Sequence, residues 1–316
     1  MLRSHPKSDP PWTNVVWIDL IDATDDERAQ VERATGLHVP TFAEVAEIES
    51  SSRVFTRGGA IYMSMPLPAA GDARMPLSAV GFVLRDNLLL TARFSRHPVF
   101  DSVFEGCEEK DGLGAREIFL WILEALVDRA ADSLEHASVK LDTLSDAAFG
   151  ADQEARGSSG SPKRPSASLR DGLRKLGTTG NWLSQIRDTL LGMNRIVSFV
   201  AETAAPALAA EPKTRLMAIR ADLVSLTDYE AHLSNKVQFL LDATLGFINI
   251  EQNDVVKTLT VASVVGIPPV LVAGIYGMNF PHMPEYGWRF GYPFALGLIV
   301  VTGLVPLLWF KRRGWL

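Results

Sequence analysis

The hydrophobic pattern is uneven, and the last fifth of the chain carries the longest apolar stretches. Thr258 to Pro284 holds no formally charged side chain. Within it Leu259 to Tyr276, with Val255 and Val256 just ahead, suffices as a helix to cross an apolar layer about 30 Å thick. Phe290 to Phe310 is a second uncharged run of about 21 residues, also long enough to span. The gap between them is short, so the two spans are expected to form a hairpin with both chain ends on one side. Pro268-Pro269 removes two backbone donors in mid-span and predicts a kink. Such a kink is either without functional consequence or marks backbone that lines a cavity.

Upstream, residues 13–100 read as a mixed α/β unit. Val15 to Asp19 is strand-like, and Asp22 to Thr35 is helical, with Thr24 and Glu27 spaced as a capping box. Arg53 to Pro66 predicts a hairpin turning at Gly58-Gly59, and Ala79 to Phe94 another turning at Asp86-Asn87. From Arg116 to Phe149 the apolar residues Ile118, Leu120, Leu123, Leu126, Val127 and Leu134 recur at helical spacing. Gly157 to Ser168 has a composition that buries no core and predicts a mobile loop. Leu169 to Ala204 is a further helix. Pro212 then opens a run almost free of helix breakers, so that a helix from Lys213 to Asn279 would be about 100 Å long. Such a helix leaves the polar part and enters the apolar layer without a break.

Charge sharpens this division. The chain of 316 residues has a formal net charge of -6. Lys257, Glu285, Arg289, Lys311, Arg312 and Arg313 give residues beyond 254 a net charge of +4, which leaves -10 for residues 1–254. Lys311-Arg312-Arg313 follows the second span and Lys257 opens the first, and positive residues remain on the cytoplasmic side. Both termini and the acidic part are thus expected in the cytoplasm, against the weaker opposite signal of Arg289. Trp288, Trp309, Trp315, Tyr286 and Tyr292 suit interfacial belts.

Several function classes drop out. The single Cys107 rules out a disulfide framework or a cysteine-based metal cluster, and the six histidines form no ligand-spaced pair. No apolar segment follows Met1 to Pro6, so a secretory signal peptide is not expected. The absence of a strongly basic surface argues against nucleic acid. No phosphate loop or nucleophile elbow is present, so an enzyme is not expected.

The candidate chemistry lies between the two spans, at Gly277-Met278-Asn279. A small polar turn with amide and carbonyl oxygens suits a hydrated hard cation. Mg²⁺ sheds water reluctantly, so Asn279 amides and Gly274 carbonyls are suited to hold it through its waters. Two spans cannot enclose an aqueous path, so transport requires several copies around an axis. Stepping back from the turn at helical spacing gives Gly274, Val270, Ile267, Ser263, Thr260, Val256 and Asn253 on one face, polar at the ends and apolar in the middle. This face is either a pore wall, gated by dewetting of its apolar rings, or a surface packed on a neighbouring helix, which small residues also suit. Glu285 either concentrates cations at the mouth or is an ordinary loop charge. The tripeptide recurs as Gly192-Met193-Asn194, inside an amphipathic helix, where packing and surface account for it.

Tyr276 to Phe280 followed by Met283-Pro284-Glu285, Gly246 to Asn253 before the first span, Gly291-Tyr292-Pro293 and the ending Phe310 to Leu316 together resemble the CorA family of divalent-cation transporters. The resemblance spans nearly the whole chain and is most specific from about Gly246 onward. It implies an α+β fold: a large cytoplasmic α/β domain of αβα sandwich type, a long stalk helix continuing into the first of two transmembrane helices, and a funnel-shaped homopentamer. The expected organisation is an α/β domain at 1–110, cytoplasmic helices at 111–211 with a mobile loop at about 150–168, the stalk at 212–279 with its span at about 256–276, an outer loop at 280–289, the second span at 290–310 and a basic tail at 311–316. It further implies Mg²⁺ as main substrate and regulatory ligand, with Co²⁺ or Ni²⁺ accepted, uptake across the cell inner membrane in contact with lipid, and no organic cofactor.

By the same resemblance, Asn279 with Gly277 and Met278, and Gly274 below, form the outer ion sites; Asn253 lies near the inner end, and Val256 and Leu259 form a constriction. Val270 stands where some relatives place threonine, so a polar ring is lost. Asp222, Asp228 and Asp242 are candidates for regulatory metal sites between subunits. Emptying these sites at low Mg²⁺ would let carboxylates repel and the stalk helices tilt open. Two other readings remain: a Zn²⁺ transporter of the same superfamily, of ZntB type, and a membrane-anchored sensor that does not conduct.

Overall fold

The computed structural model describes residues 1–10, 12, 14–47, 53–68, 78–110, 112–155, 165–204, 210–278 and 287–315. The chain divides into two units. The first comprises Met1–Pro162 and Arg170–Leu241, and the second Lys163–Leu169 and Asp242–Leu316.

The first unit is built on a six-stranded sheet of β1 (Leu2–His5), β2 (Trp17–Ile21), β3 (Val54–Arg57), β4 (Ala60–Leu67), β5 (Ser78–Arg85) and β6 (Leu88–Arg93), in the spatial order β1-β2-β6-β5-β4-β3. Only β2 and β6 pair in parallel, with Trp17 opposite Leu89, and the other neighbours are antiparallel. Both expected hairpins form: Gly58 and Gly59 take positive φ between β3 and β4, and Asp86 does so between β5 and β6.

Helices cover both faces of the sheet. One face carries α1 (Asp25–Thr35) and the short α2 (Phe42–Ala46). The expected capping box of α1 is present: Thr24 accepts from the Glu27 N–H, and the Glu27 carboxylate accepts from the Thr24 N–H. A small core joins Ile18, Leu20, Val31, Leu37, Tyr62, Val83 and Leu90 on this side. The other face packs Trp17, Met63, Met65, Phe82 and Leu89 against α3 (Pro98–Glu108), α4 (Ala115–Ala155), α5 (Pro165–Ala204) and the first part of α6 (Ala210–Tyr276). The period of two along β2, with Trp17 to one core and Ile18 to the other, produces these layers.

Two expectations need correction. The loop expected at Gly157 to Ser168 gives way to helix from Pro165, and residues 156–164 lie outside the described residues. The long helix expected to run from Lys213 to Asn279 starts at Ala210 and ends at Tyr276. It carries Pro268 and Pro269 inside it without terminating.

In the second unit α6 runs on to Tyr276 and is followed by α7 (Gly291–Arg312). Both helices contain a membrane-length apolar window of which only 6% is buried. The core helix of a soluble protein would bury most of that surface, so these windows need an apolar medium around them.

Candidate functional site

The two apolar helices come into contact at Gly303. A methyl group at Gly303 of α7 would sit 3.3 Å from the Pro269 side chain and 3.9 Å from the Val265 carbonyl. Gly291, Ala295 and Phe310 are the buried residues of α7, and the half-buried Leu298, Thr302 and Pro306 lie between them at helical spacing. In lipid there is no hydrophobic drive between helices, and a small residue such as Gly303 lets the two come close. On α6 the matching edge runs through Val261, Val265, Pro269, Val272 and Tyr276, all buried or half-buried.

At 3.6 residues per turn, the predicted stripe lies about half a turn around α6 from that edge. Asn253, Val256, Ile267, Val270 and Gly274 are exposed, and Thr260 and Ser263 are half-buried. Val270 is 71% exposed and Leu259 is 66% exposed. Within the protomer, packing on α7 therefore does not account for this face. Ile267, Val270 and Gly274, with Gly266 and Met278, line an open groove. Added methyl groups at Gly266 and Gly274 would meet nothing within 4 Å.

The C-terminal end of α6 tightens before the turn. Gly277 N–H donates to the Ala273 carbonyl at 2.9 Å, and Met278 N–H to the Ile275 carbonyl at 3.2 Å. A side chain on Gly277 would stand 3.1 Å from the Ala273 oxygen and 3.6 Å from the Gly274 oxygen, so glycine keeps these carbonyls uncrowded. The last carbonyls of a helix carry its partial negative charge and favour a nearby cation. Asn279 and Glu285 lie outside the described residues. At the start of the apolar window Lys257 pairs with Asp254 at 3.0 Å, and the Thr260 hydroxyl donates to the Val256 carbonyl at 2.8 Å.

Asp222, Asp228 and Asp242 are exposed on α6. Six residues separate the first two, which turns them about 120° apart on the helix. They do not converge, and the described residues hold no group of three His, Cys, Asp or Glu side chains placed for a metal. Other acidic residues of this region are engaged. Arg187 donates to Glu230 at 2.6 Å, as does the Ser234 hydroxyl, and Arg215 forks onto Glu124 at 2.8 and 2.7 Å. Lys236 reaches Asp142 at 2.5 Å. The Arg187, Arg215 and Lys236 pairs tie α6 to α5 and α4, and separations of 43 to 94 residues hid them from sequence patterns.

The second Gly-Met-Asn copy is structural. Met193 is fully buried, and a methyl group on Gly192 would lie 2.8 Å from the Met65 side chain. Its role is to bring α5 close to β4.

A family model described as CorA-like Mg²⁺ transporter protein matches residues 12–312. The chain belongs to this family. It is 33% identical over 320 residues to the magnesium transport protein CorA of Escherichia coli K12, covering 100% of this chain and 96% of that one. The magnesium transport protein CorA of Mannheimia succiniciproducens is 32% identical over 305 residues, covering 95% and 92%. The fold matches the complete structure of the CorA magnesium transporter from Methanocaldococcus jannaschii with a TM-score of 0.76 at 20% identity, over 98% of this chain and 95% of that one. The family is one of transporters, not of enzymes, and the exposed apolar windows of α6 and α7 place this member in a membrane.

Proposed function

We propose that the chain forms a homopentameric, lipid-embedded channel that takes up Mg²⁺ across the cell inner membrane, with Co²⁺ and Ni²⁺ as further substrates and both termini in the cytoplasm. The observation that carries this reading is the stripe on α6. It is membrane-length, polar at its ends, apolar in its middle and turned away from α7. A face left bare by its own hairpin is available to copies of itself around an axis. The relatives named as magnesium transport proteins support Mg²⁺ as the ion.

A hydrated cation arriving from outside meets Asn279, Gly277 and Met278 first, with Glu285 raising its local concentration. It then passes Gly274, whose carbonyl end of α6 is electrostatically favourable. Oxygen donors acting through water suit Mg²⁺, which keeps most of its hydration shell. Val270 and Ile267, then Leu259 and Val256 further in, form apolar rings that close by dewetting. Ser263 and Thr260 offer hydroxyl oxygens between them, and Asn253 takes the ion at the inner end. The membrane potential supplies about 2.3 kcal/mol per charge per 100 mV. Regulatory Mg²⁺ bound by Asp222, Asp228 and Asp242 at subunit boundaries favours the closed state by differential affinity. The helix shared by the two units carries the signal.

The test is Mg²⁺ uptake into proteoliposomes under an imposed potential. Asn279→Ala is expected to abolish saturable uptake while the protein still inserts. Unchanged uptake removes Asn279, and the outer turn, from the selectivity mechanism.

A further inference from the structure

A cavity of about 50 Å³ opens beside the N-terminal end of α3, between α4 and α5. It is remote in sequence from the stripe and from the three stalk aspartates. Its polar lining is His97, Arg129, Ser133 and Thr189, and its apolar lining includes Leu126, Trp182 and Ile186. His97 is the N-cap residue of α3, makes no capping hydrogen bond and precedes Pro98 at the first helical position. The residue is 5% exposed, and among the described residues Nδ1 has no hydrogen-bond partner. Buried polar atoms without partners are rare and call for a specific explanation, such as a bound ion or water.

The local field has a definite sign. Burial first, and then the charges of Arg93 and Arg129, lower the His97 pKa to about 4 against the opposing pull of Asp101. The Asp101 carboxylate is already engaged by Arg3 at 2.8 Å. Arg129 makes no ion pair among the described residues, and its guanidinium is a planar fork that fits a carboxylate. The uncapped helix end adds partial positive charge. A neutral imidazole can still donate one hydrogen bond. The cavity exceeds what one water needs, roughly 10–15 Å³, and most of its lining residues are apolar.

We infer that this cavity binds a small organic carboxylate, its head on Arg129 and His97 and its short apolar tail against Leu126, Trp182 and Ile186. Being formed by α3, α4 and α5 of the first unit, it would be a ligand site separate from the cation path.

The experiment is equilibrium dialysis of the full chain in detergent micelles against radiolabelled propionate, at ionic strength fixed with chloride. One saturable site per chain is expected. Arg129→Gln, a change at an exposed position, should weaken binding at least tenfold with an unchanged melting temperature, and Arg129→Lys should restore part of it. His97→Gln should weaken binding in the same direction. Absence of a saturable site would mean that the cavity holds water only, and the proposal falls. It falls equally if Arg129→Gln binds like the wild type. Equal competition by inorganic phosphate would show that the apolar wall plays no part and would overturn the assignment to a carboxylate.

Discussion

Asp19 is a carboxylate fully shielded from water in the middle of β2. It accepts from Thr91 Oγ1 at 2.6 Å, from Arg93 at 3.0 and 2.6 Å and from Arg3 at 2.7 Å. Trp17 Nε1 extends the chain by donating to Thr91 Oγ1 at 3.0 Å. Removing one member of such a group leaves buried charge behind. Asp19→Ala is therefore expected to destabilise the first unit by about 3–5 kcal/mol, measured by denaturant unfolding against the wild type. His97 gives a pH effect. The ordinary histidine value of about 6.5 describes the unfolded chain, whereas burial, and then Arg93 and Arg129, lower the folded value to about 4. Between those values the unfolded state binds more protons. Stability is thus fully present above about pH 6.5 and is lost as pH falls toward 4. At pH 5 the loss is about 2 kcal/mol. Melts at pH 7.5 and pH 5 should show His97→Phe losing less stability than the wild type by that amount; equal losses would remove His97 as the cause.

The two faces of α6 lead to different outcomes on mutation. The seam is steric: a methyl group at Gly303 already lies 3.3 Å from Pro269, so Gly303→Val forces the helices apart. It is expected to lower the yield of inserted protein while leaving flux per surviving channel near wild type. The stripe is a matter of hydration. Ile267→Asn adds a polar group at an exposed position on the face turned away from α7 and should ease wetting of an apolar ring. Normal yield with raised Mg²⁺ flux at low driving force is the expected result, read by uptake normalised to inserted protein; matching phenotypes for the two variants would mean that the faces are not distinct. Most elements were legible because their periods are long and their caps explicit, as at Thr24 and Glu27. β1 escaped because four residues, Leu2–His5, are too few to show alternation, and α2 because five residues make little more than one turn. α3 carried a readable signal: Pro98 at its first position, then buried Val99, Phe100, Val103 and Cys107 at helical spacing.

At the scale of the whole molecule, sequence supplied the stripe but not its meaning. Periodicity placed Gly274 to Asn253 on one face; finding that this face does not pack on α7 required knowing where α7 sits, which depends on the fit of Gly303 to Pro269 and has no sequence period. The acidic stalk shows the same limit. Excess negative charge in residues 1–254 prompted the expectation of cation regulation, yet the ion pairs that engage Glu230, Glu124 and Asp142 are set by the tertiary fold. Asp222 and Asp228 remain exposed and about 120° apart on α6, so neither completes a site with the other on one chain. If each is completed by a neighbouring copy, Mg²⁺ cross-links the assembly. Chelating Mg²⁺ with EDTA should then increase amide hydrogen exchange along the first part of α6 in the wild type. The double variant Asp222→Asn/Asp228→Asn should show raised exchange already in Mg²⁺ and no further response to EDTA. Charge neutralisation also relieves repulsion between like carboxylates. The decisive quantity is therefore the loss of the EDTA response, not the absolute level of exchange; a variant that still responds would free these two aspartates from any regulatory role.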